Sequence, residues 1–282
     1  MGQDAKNGIR MIAIYGKAGI GKSTVSSNLS AALSTMGEKV MQVGCDPKRD
    51  SIATLCGKLM PTLLDEVRGK VVGLKEIESV IFKGYNDILG IECGGPSPGK
   101  GCAGKGVDLA LELLSRFNIF EKKGASFVIF DVLGDVVCGG FSKPMRSGYA
   151  KEMYQVVSGE VLTLYQANSI FKAVTRLSDL GVEVGIAGLI NNMRGMKDEE
   201  KIVEDFASAI GIPVTYHIPR SKTVQDAEFD GKTVIEAYPE SEQADRYREL
   251  AKKIQDNKDK PTHIPRNILS LGEIWEIAAK YV

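Results

Sequence analysis

The chain has 282 residues, of which 43% are hydrophobic, enough for a sizeable core, and its 36 basic and 36 acidic residues balance. That balance gives no net charge to draw it to nucleic acid or a membrane surface, and its longest apolar runs, such as Phe127-Val-Ile-Phe130, are far too short to span a bilayer. Five cysteines, an odd number, together with a polar segment over residues 1–10, argue against a disulfide framework and for a reducing cytoplasm where thiols serve metals or catalysis.

Short β-branched runs alternate with amphipathic stretches along the chain, the pattern of a mainly parallel sheet flanked by helices, so an α/β fold is expected. A strand is predicted over 11–15, a helix over 22–36 and a strand over 39–43. Residues 91–106 hold six glycines and two prolines and read as a loop without regular structure, ahead of a helix over 107–117. Strands over 127–131 and 154–157, a helix over 161–180, a strand over 185–191, a helix over 199–210, a strand over 214–218 and a helix over 241–255 follow. Gly37 and Gly181 read as helix stops. The tail over 257–265 is polar with two prolines and is predicted to cross the surface before a last short helix over 271–281.

Gly16-Lys17-Ala18-Gly19-Ile20-Gly21-Lys22-Ser23 follows the first strand and opens the first helix, which is the context a phosphate-binding loop requires. Backbone N–H groups of such a loop and the helix N-terminus favour phosphate oxygens; Lys22 would reach the β- and γ-phosphates and Ser23 would ligate magnesium. Asp46 and Asp131 are placed at the C-terminal ends of predicted strands, where open α/β sheets bind ligands. Asp131 is suited to hold a magnesium-bound water, and either Asp46 or Asp135 to orient or deprotonate the attacking water.

Two cysteines sit in glycine-bracketed turns, Gly101-Cys102-Ala103-Gly104 and Cys138-Gly139-Gly140, with helix starts predicted at about Lys105 and Phe141. Buried packing is the usual default for a free cysteine, but glycine loops make poor core, so these thiols read as metal ligands as readily as packing. Two thiolates cannot close a [4Fe-4S] cluster, which takes four, but two copies of the chain can. Cys138 lies three residues after Asp135, so a segment sensing γ-phosphate runs directly into a thiolate. Cys45 and Cys56 read as packing, and Cys93 as a conceivable decoy ligand.

Taken together, the strings Ile14-Tyr-Gly-Lys-Ala-Gly-Ile-Gly-Lys-Ser-Thr24, Gly44-Cys-Asp-Pro-Lys48, Gly94-Gly-Pro96, Gly101-Cys-Ala-Gly104 and Asp131-Val-Leu-Gly-Asp-Val-Val-Cys-Gly-Gly-Phe141 resemble the nitrogenase iron protein family, to about Ile254. The resemblance implies one P-loop domain over 1–282, with 257–282 a C-terminal extension over the surface. It implies a homodimer in which Cys102 and Cys138 of both subunits hold one bridging [4Fe-4S] cluster. Gly16, Lys17, Gly19, Gly21, Lys22, Ser23 and Thr24 would bind MgATP. Lys17 matches the early lysine of deviant Walker A ATPases, which crosses to the partner's nucleotide. Asp46 and Asp50 would belong to the first switch, and Asp131 and Asp135 to the second. Asn192, Pro219, Arg220, Gln225 and Glu228 would form the adenosine side, and Arg146 would lie on the docking face. The implied activity is ATP-dependent electron transfer from ferredoxin or flavodoxin to a nitrogenase or nitrogenase-like catalytic partner, without nucleic acid or membrane.

Departures from the pattern bear on the acceptor. Ala18 replaces a usual glycine, Lys105 a usual arginine that is ADP-ribosylated in some organisms, and Ser221 a usual aspartate. Gly90 and Asn191 stand where nitrogenase iron proteins often have cysteines. Residues 59–65 and 82–85 look more like the dark protochlorophyllide reductase component, and residues 237–251 more like nitrogenase. The reductase component of a tetrapyrrole-reducing system is therefore an alternative. A cluster-free positioning ATPase of the deviant Walker A fold is another, and would need a basic face or membrane helix; the ending Leu271–Val282 has one lysine and two glutamates, poor for an anionic surface. An iron–sulfur carrier ATPase would need a close Cys-x-x-Cys pair, which is absent.

Overall fold

The computed structural model describes residues 8–69, 71–95, 103–134, 143–146 and 149–281. Strand β1 (Arg10–Gly16) feeds helix α1 (Lys22–Thr35), and β2 (Val40–Cys45) follows. Short helices α2 (Ala53–Cys56), α3 (Leu63–Val67) and α4 (Leu74–Glu78) precede β3 (Phe82–Lys83), a 3-10 turn (Tyr85–Asp87) and β4 (Leu89–Glu92). Next come α5 (Ala103–Arg116), α6 (Ile119–Lys122), β5 (Phe127–Val132), α7 (Lys143–Arg146), β6 (Glu152–Val157), α8 (Val161–Asp179) and β7 (Gly185–Asn192). The chain finishes with α9 (Glu199–Ile210), β8 (Val214–Ile218), α10 (Lys222–Phe229), α11 (Val234–Ala237), α12 (Glu242–Asp256) and α13 (Leu271–Ala279).

Among the described residues one eight-stranded sheet runs β3-β4-β2-β5-β1-β6-β7-β8, parallel throughout except the β3–β4 edge pair. Strands buried on both faces read as continuous apolar runs, and β2 and β5 are buried at every position. The alternation of side chains divides them between two cores. Ile12, Ile14, Phe127 and Ile129 pack with Leu29 of α1 and Tyr247 and Leu250 of α12. Ala13, Tyr15, Val128 and Phe130 pack on the other face with Leu111 of α5, Phe171 of α8 and Phe206 of α9.

The parallel α/β expectation agrees with this architecture, and the differences have local causes. The stretch 91–106 is not wholly irregular: Ile91 and Glu92 belong to β4, and α5 begins at Ala103 instead of about Lys105. Gly106 in that helix leaves room for Leu64 Cδ1 of α3, which would have to shift if a side chain stood there. Helix α7 is described over Lys143–Arg146, and the expected helix start at about Phe141 lies outside the described residues. Gly37 (φ 96°) and Gly181 (φ 78°) follow the caps of α1 and α8 in the left-handed conformation, as helix stops do. Asp131 lies within β5, not at its end, with Val132 completing the strand. After α12, Ile186 of β7 and His263 exchange backbone hydrogen bonds of 2.8 Å, and α13 buries Ile274 against the core. Among the described residues no helix is long and apolar enough to cross a membrane.

Candidate active site

The loop after β1 is shaped by close contacts. Left-handed backbone falls on Gly19 (φ 76°) and Gly21 (φ 90°), where glycine carries no penalty. Ala18 lies outside the left-handed region, so alanine in place of glycine leaves the loop conformation intact. Ile20 is buried, and its N–H donates to Lys17 O at 3.1 Å. Asn192 Nδ2 of β7 donates to Ile20 O at 2.7 Å, and it fills the space a side chain at Gly21 would need. Thus Asn192 braces the loop from outside as well as lining the cleft, a role its sequence position did not disclose.

Charge inside the loop is concentrated on one pair. Lys22 Nζ meets Asp131 Oδ1 at 2.5 Å, with the lysine 6% exposed and the aspartate fully buried. Burial alone would push the ammonium pKa down; the ion pair with Asp131 and the nearby Asp46 and Asp50 together outweigh it and hold the lysine above its ordinary value. The second oxygen, Asp131 Oδ2, is buried without a hydrogen-bond partner, leaving one acceptor available for a ligand proton. Ser23 Oγ accepts from Lys22 Nζ at 3.3 Å. Asp46 follows β2, is buried, and accepts the Lys48 N–H at 3.0 Å; burial raises its pKa against the opposing pull of Lys48 and Lys22. Asp50 is exposed, at the rim of the same cleft.

A cleft of about 390 Å³ collects the predicted nucleotide residues from separate loops: Lys17, Gly19 and Gly21 to Thr24 after β1, Asp46 and Asp50 after β2, Asn192 of β7, Pro219 and Arg220 after β8, and Gln225 and Glu228 of α10. Gly16, at the buried end of β1, does not line it. Ser221, where the family usually has aspartate, caps α10 by accepting the Thr223 N–H, so the substitution keeps an N-cap acceptor. Arg194 and Glu199 escaped the sequence reading. Arg194 Nη2 donates to Gly19 O at 2.5 Å. Glu199, 1% exposed, accepts the N–H groups of Gly159, Arg194, Gly195 and Met196 at 2.8 to 3.1 Å, locking the turn that carries Arg194. The only local signal is a glutamate in the first turn of α9, which sequence alone reads as a helix-dipole partner.

The predicted cluster ligands Cys102 and Cys138, with Asp135 and the side chain of Arg146, lie outside the described residues. The approach to Cys138 is visible as far as Gly134, whose position allows no side chain because it would strike the backbone of Gly16. Cys93 is no ligand candidate: it is fully buried, its Sγ 4.0 Å from Cys45 Sγ among core side chains. Their contact, then burial, raises the Cys45 thiol pKa well above its ordinary value, the opposite of a ligating thiolate. Cys56 is half-buried on the other core, and burial pushes it up to about 11. Among the described residues no group of three or more His, Cys, Asp or Glu is arranged to hold a metal ion.

Residues 10–280 match the model of 4Fe-4S iron–sulfur cluster binding proteins, NifH/frxC family. A nitrogenase iron protein of Methanospirillum hungatei is 47% identical over 276 residues, covering 97% of this chain and 96% of the relative. Among solved structures, a cell-division ATPase MinD of Pyrococcus furiosus superposes with a TM-score of 0.65 at 22% identity, covering 88% of this chain and 98% of that one. A ParA-family ATPase of Chlorobium tepidum gives 0.68 at 17% identity, covering 87% and 98%. The last two likenesses establish the P-loop ATPase fold alone.

Proposed function

We infer function from a shown kinship: the chain belongs to the NifH/frxC family of 4Fe-4S iron–sulfur cluster binding proteins, and we propose that it is an ATP-dependent reductase delivering electrons to a nitrogenase-type catalytic partner. The observation that carries the reading is the Lys22–Asp131 pair at the floor of the cleft, with an unpartnered carboxylate oxygen beside a phosphate-binding loop. Lys22, Ser23 and Thr24 would hold the phosphates and magnesium of MgATP, with Asn192, Pro219, Arg220, Gln225 and Glu228 on the adenosine side. Lys17, half-buried at the rim, would serve the partner subunit's nucleotide. Asp131 would hold a magnesium-bound water, and Asp46 or Asp135 would orient the attacking one. Bound there, MgATP supplies hydrolysis free energy, and a [4Fe-4S] cluster supplies a low-potential electron.

Cys102 and Cys138 from each of two subunits would complete the four thiolates of that cluster. Residues 1–282 would act as one P-loop domain, 257–282 being its extension over the surface, in the cytoplasm. Ferredoxin or flavodoxin would be the donor. The relative's name, nitrogenase iron protein, favours a nitrogenase partner over a tetrapyrrole-reducing one. The test is anaerobic purification of wild type and Cys102→Ser. Wild type is expected as a brown dimer with about four irons, and the variant colourless with MgATP affinity retained. Unchanged iron in Cys102→Ser would overturn the ligand assignment, and a metal-free wild type would overturn the reductase reading.

A further inference from the structure

Ile14, Asp131, Gly44 and Glu92 occupy one row across β1, β5, β2 and β4, so their side-chain positions share a face of the sheet, the face covered by α1. Gly44 contributes no side chain to that row, and the Glu92 Oε2 atom occupies the place its Cβ would take. Glu92 is fully buried. Its Oε1 accepts the Ile52 N–H at 2.8 Å, while Oε2 is buried without a partner, as Asp131 Oδ2 is.

The segment that Glu92 holds is the one that carries Asp46 and Asp50 to the cleft. Ser51 O accepts from Ser27 Oγ of α1 at 2.9 Å and from Gln42 Nε2 of β2 at 2.8 Å, and Ile52 N–H ends on Glu92 of β4. Three elements thus grip two consecutive residues directly after Asp50. We propose that Glu92 is a positioning residue of the nucleotide cleft: its buried carboxyl anchors residues 51–52 through the Ile52 N–H, setting the approach of Asp46 and Asp50, and a negative charge on it stands in the same row as Asp131, against an anionic ligand. The inference rests on the nucleotide site proposed above.

The titratable groups that bear on Glu92 are acids or thiols from each neighbouring element: Asp131 of β5, Asp46 and Asp50 of the loop after β2, Cys56 of α2 and, on the opposite face of the sheet, Cys45 of β2. Burial first, then Asp131, Asp50 and Asp46, push Glu92 up to about 8 against the opposing hydrogen bond from Ile52. At neutral pH the carboxyl therefore keeps its proton. Above about pH 8 a further negative charge enters a row already holding Asp131. For folding, the native protein holds a proton that the unfolded chain releases near pH 4.5, so Glu92 costs stability as pH rises between about 4.5 and 8, and nothing further beyond.

The experiment measures MgADP binding by anaerobic calorimetry, and denaturant midpoints, from pH 5 to 9.5 for wild type, Glu92→Gln and Glu92→Leu. Wild type is expected to lose about tenfold in affinity above pH 8, while Glu92→Gln, which keeps the acceptor and cannot ionise, stays flat within about threefold. Glu92→Leu leaves the Ile52 N–H unpaired and is expected to bind about tenfold more weakly at every pH. Wild type should also lose stability relative to Glu92→Gln between pH 5 and 8. Superimposable wild-type and Glu92→Gln profiles would overturn the proposal, as would wild-type affinity in a folded Glu92→Leu; if that variant does not fold, the glutamine comparison decides. Failure of wild type to bind MgADP at any pH would instead remove the nucleotide site itself, while the stability comparison still tests the burial of an uncharged Glu92.

Discussion

Lys22 and Asp131 hold each other in a place where neither can be solvated. A buried pair is a poor source of net stability, yet deleting one member strands the other's charge. Lys22→Gln is therefore expected to lose nucleotide binding and also to destabilise the fold by about 3–5 kcal/mol, measured by urea denaturation. A variant that binds no nucleotide yet unfolds at the wild-type midpoint would show that Asp131 had found another partner. At this scale the sequence was legible for the loop itself, because glycine spacing, lysine and serine are tied to phosphate geometry by local chemistry. It was silent on Glu92 and Glu199. Each earns its role from atoms 40 residues distant, Ile52 for the first and Gly159 for the second, and a lone glutamate in a strand or at a helix start carries no trace of them.

Elements with strong apolar runs were readable: the six predicted strands are all present, since buried parallel strands have to be apolar on both faces. Strand β4, Leu-Gly-Ile-Glu, was missed because a glycine and a glutamate break the pattern, and both residues are there for packing reasons. A side chain at Gly90 would crowd Ile52, and Glu92 reaches the Ile52 amide. Helix α10 was missed because only Ala227 of its eight residues is buried, and α11 because it is only four residues long. The last helix was visible, with its boundary set by chemistry: Ser270 Oγ accepts the Glu273 N–H at 3.3 Å while Glu273 returns to the Ser270 N–H at 2.7 Å. Ser270→Ala is expected to cost about 1 kcal/mol in chemical denaturation with nucleotide affinity unaltered, because α13 packs on α8 and α9, away from the cleft. A drop in nucleotide affinity would instead mean that the C-terminal segment communicates with the loop.

For the molecule as a whole, the sheet order places β1 centrally, so that loops after β1, β2, β7 and β8 converge at one end. Lys17 lies at the meeting of that cleft with a second depression lined by Glu160, Thr163, Arg194 and Arg220. If two copies close there, Lys17→Ala should still bind nucleotide within about threefold but lose at least tenfold in ATP hydrolysis, because the missing charge belongs to the other subunit's site. Sedimentation of the wild type should show twice the 30.5 kDa chain mass. Hydrolysis at the wild-type rate by Lys17→Ala would argue that each subunit works alone.

The bare backbones at Gly16 and Gly134 press directly on each other, with no side chain to act as cushion. One belongs to the loop proposed to hold phosphate and the other to the segment that runs on toward Cys138. A displacement at either place is therefore expected to be felt at the other. In a library of all single substitutions, the Gly134 column should be the emptiest on the map, and no second-site change nearby should refill it, since the obstacle there is the main chain of Gly16.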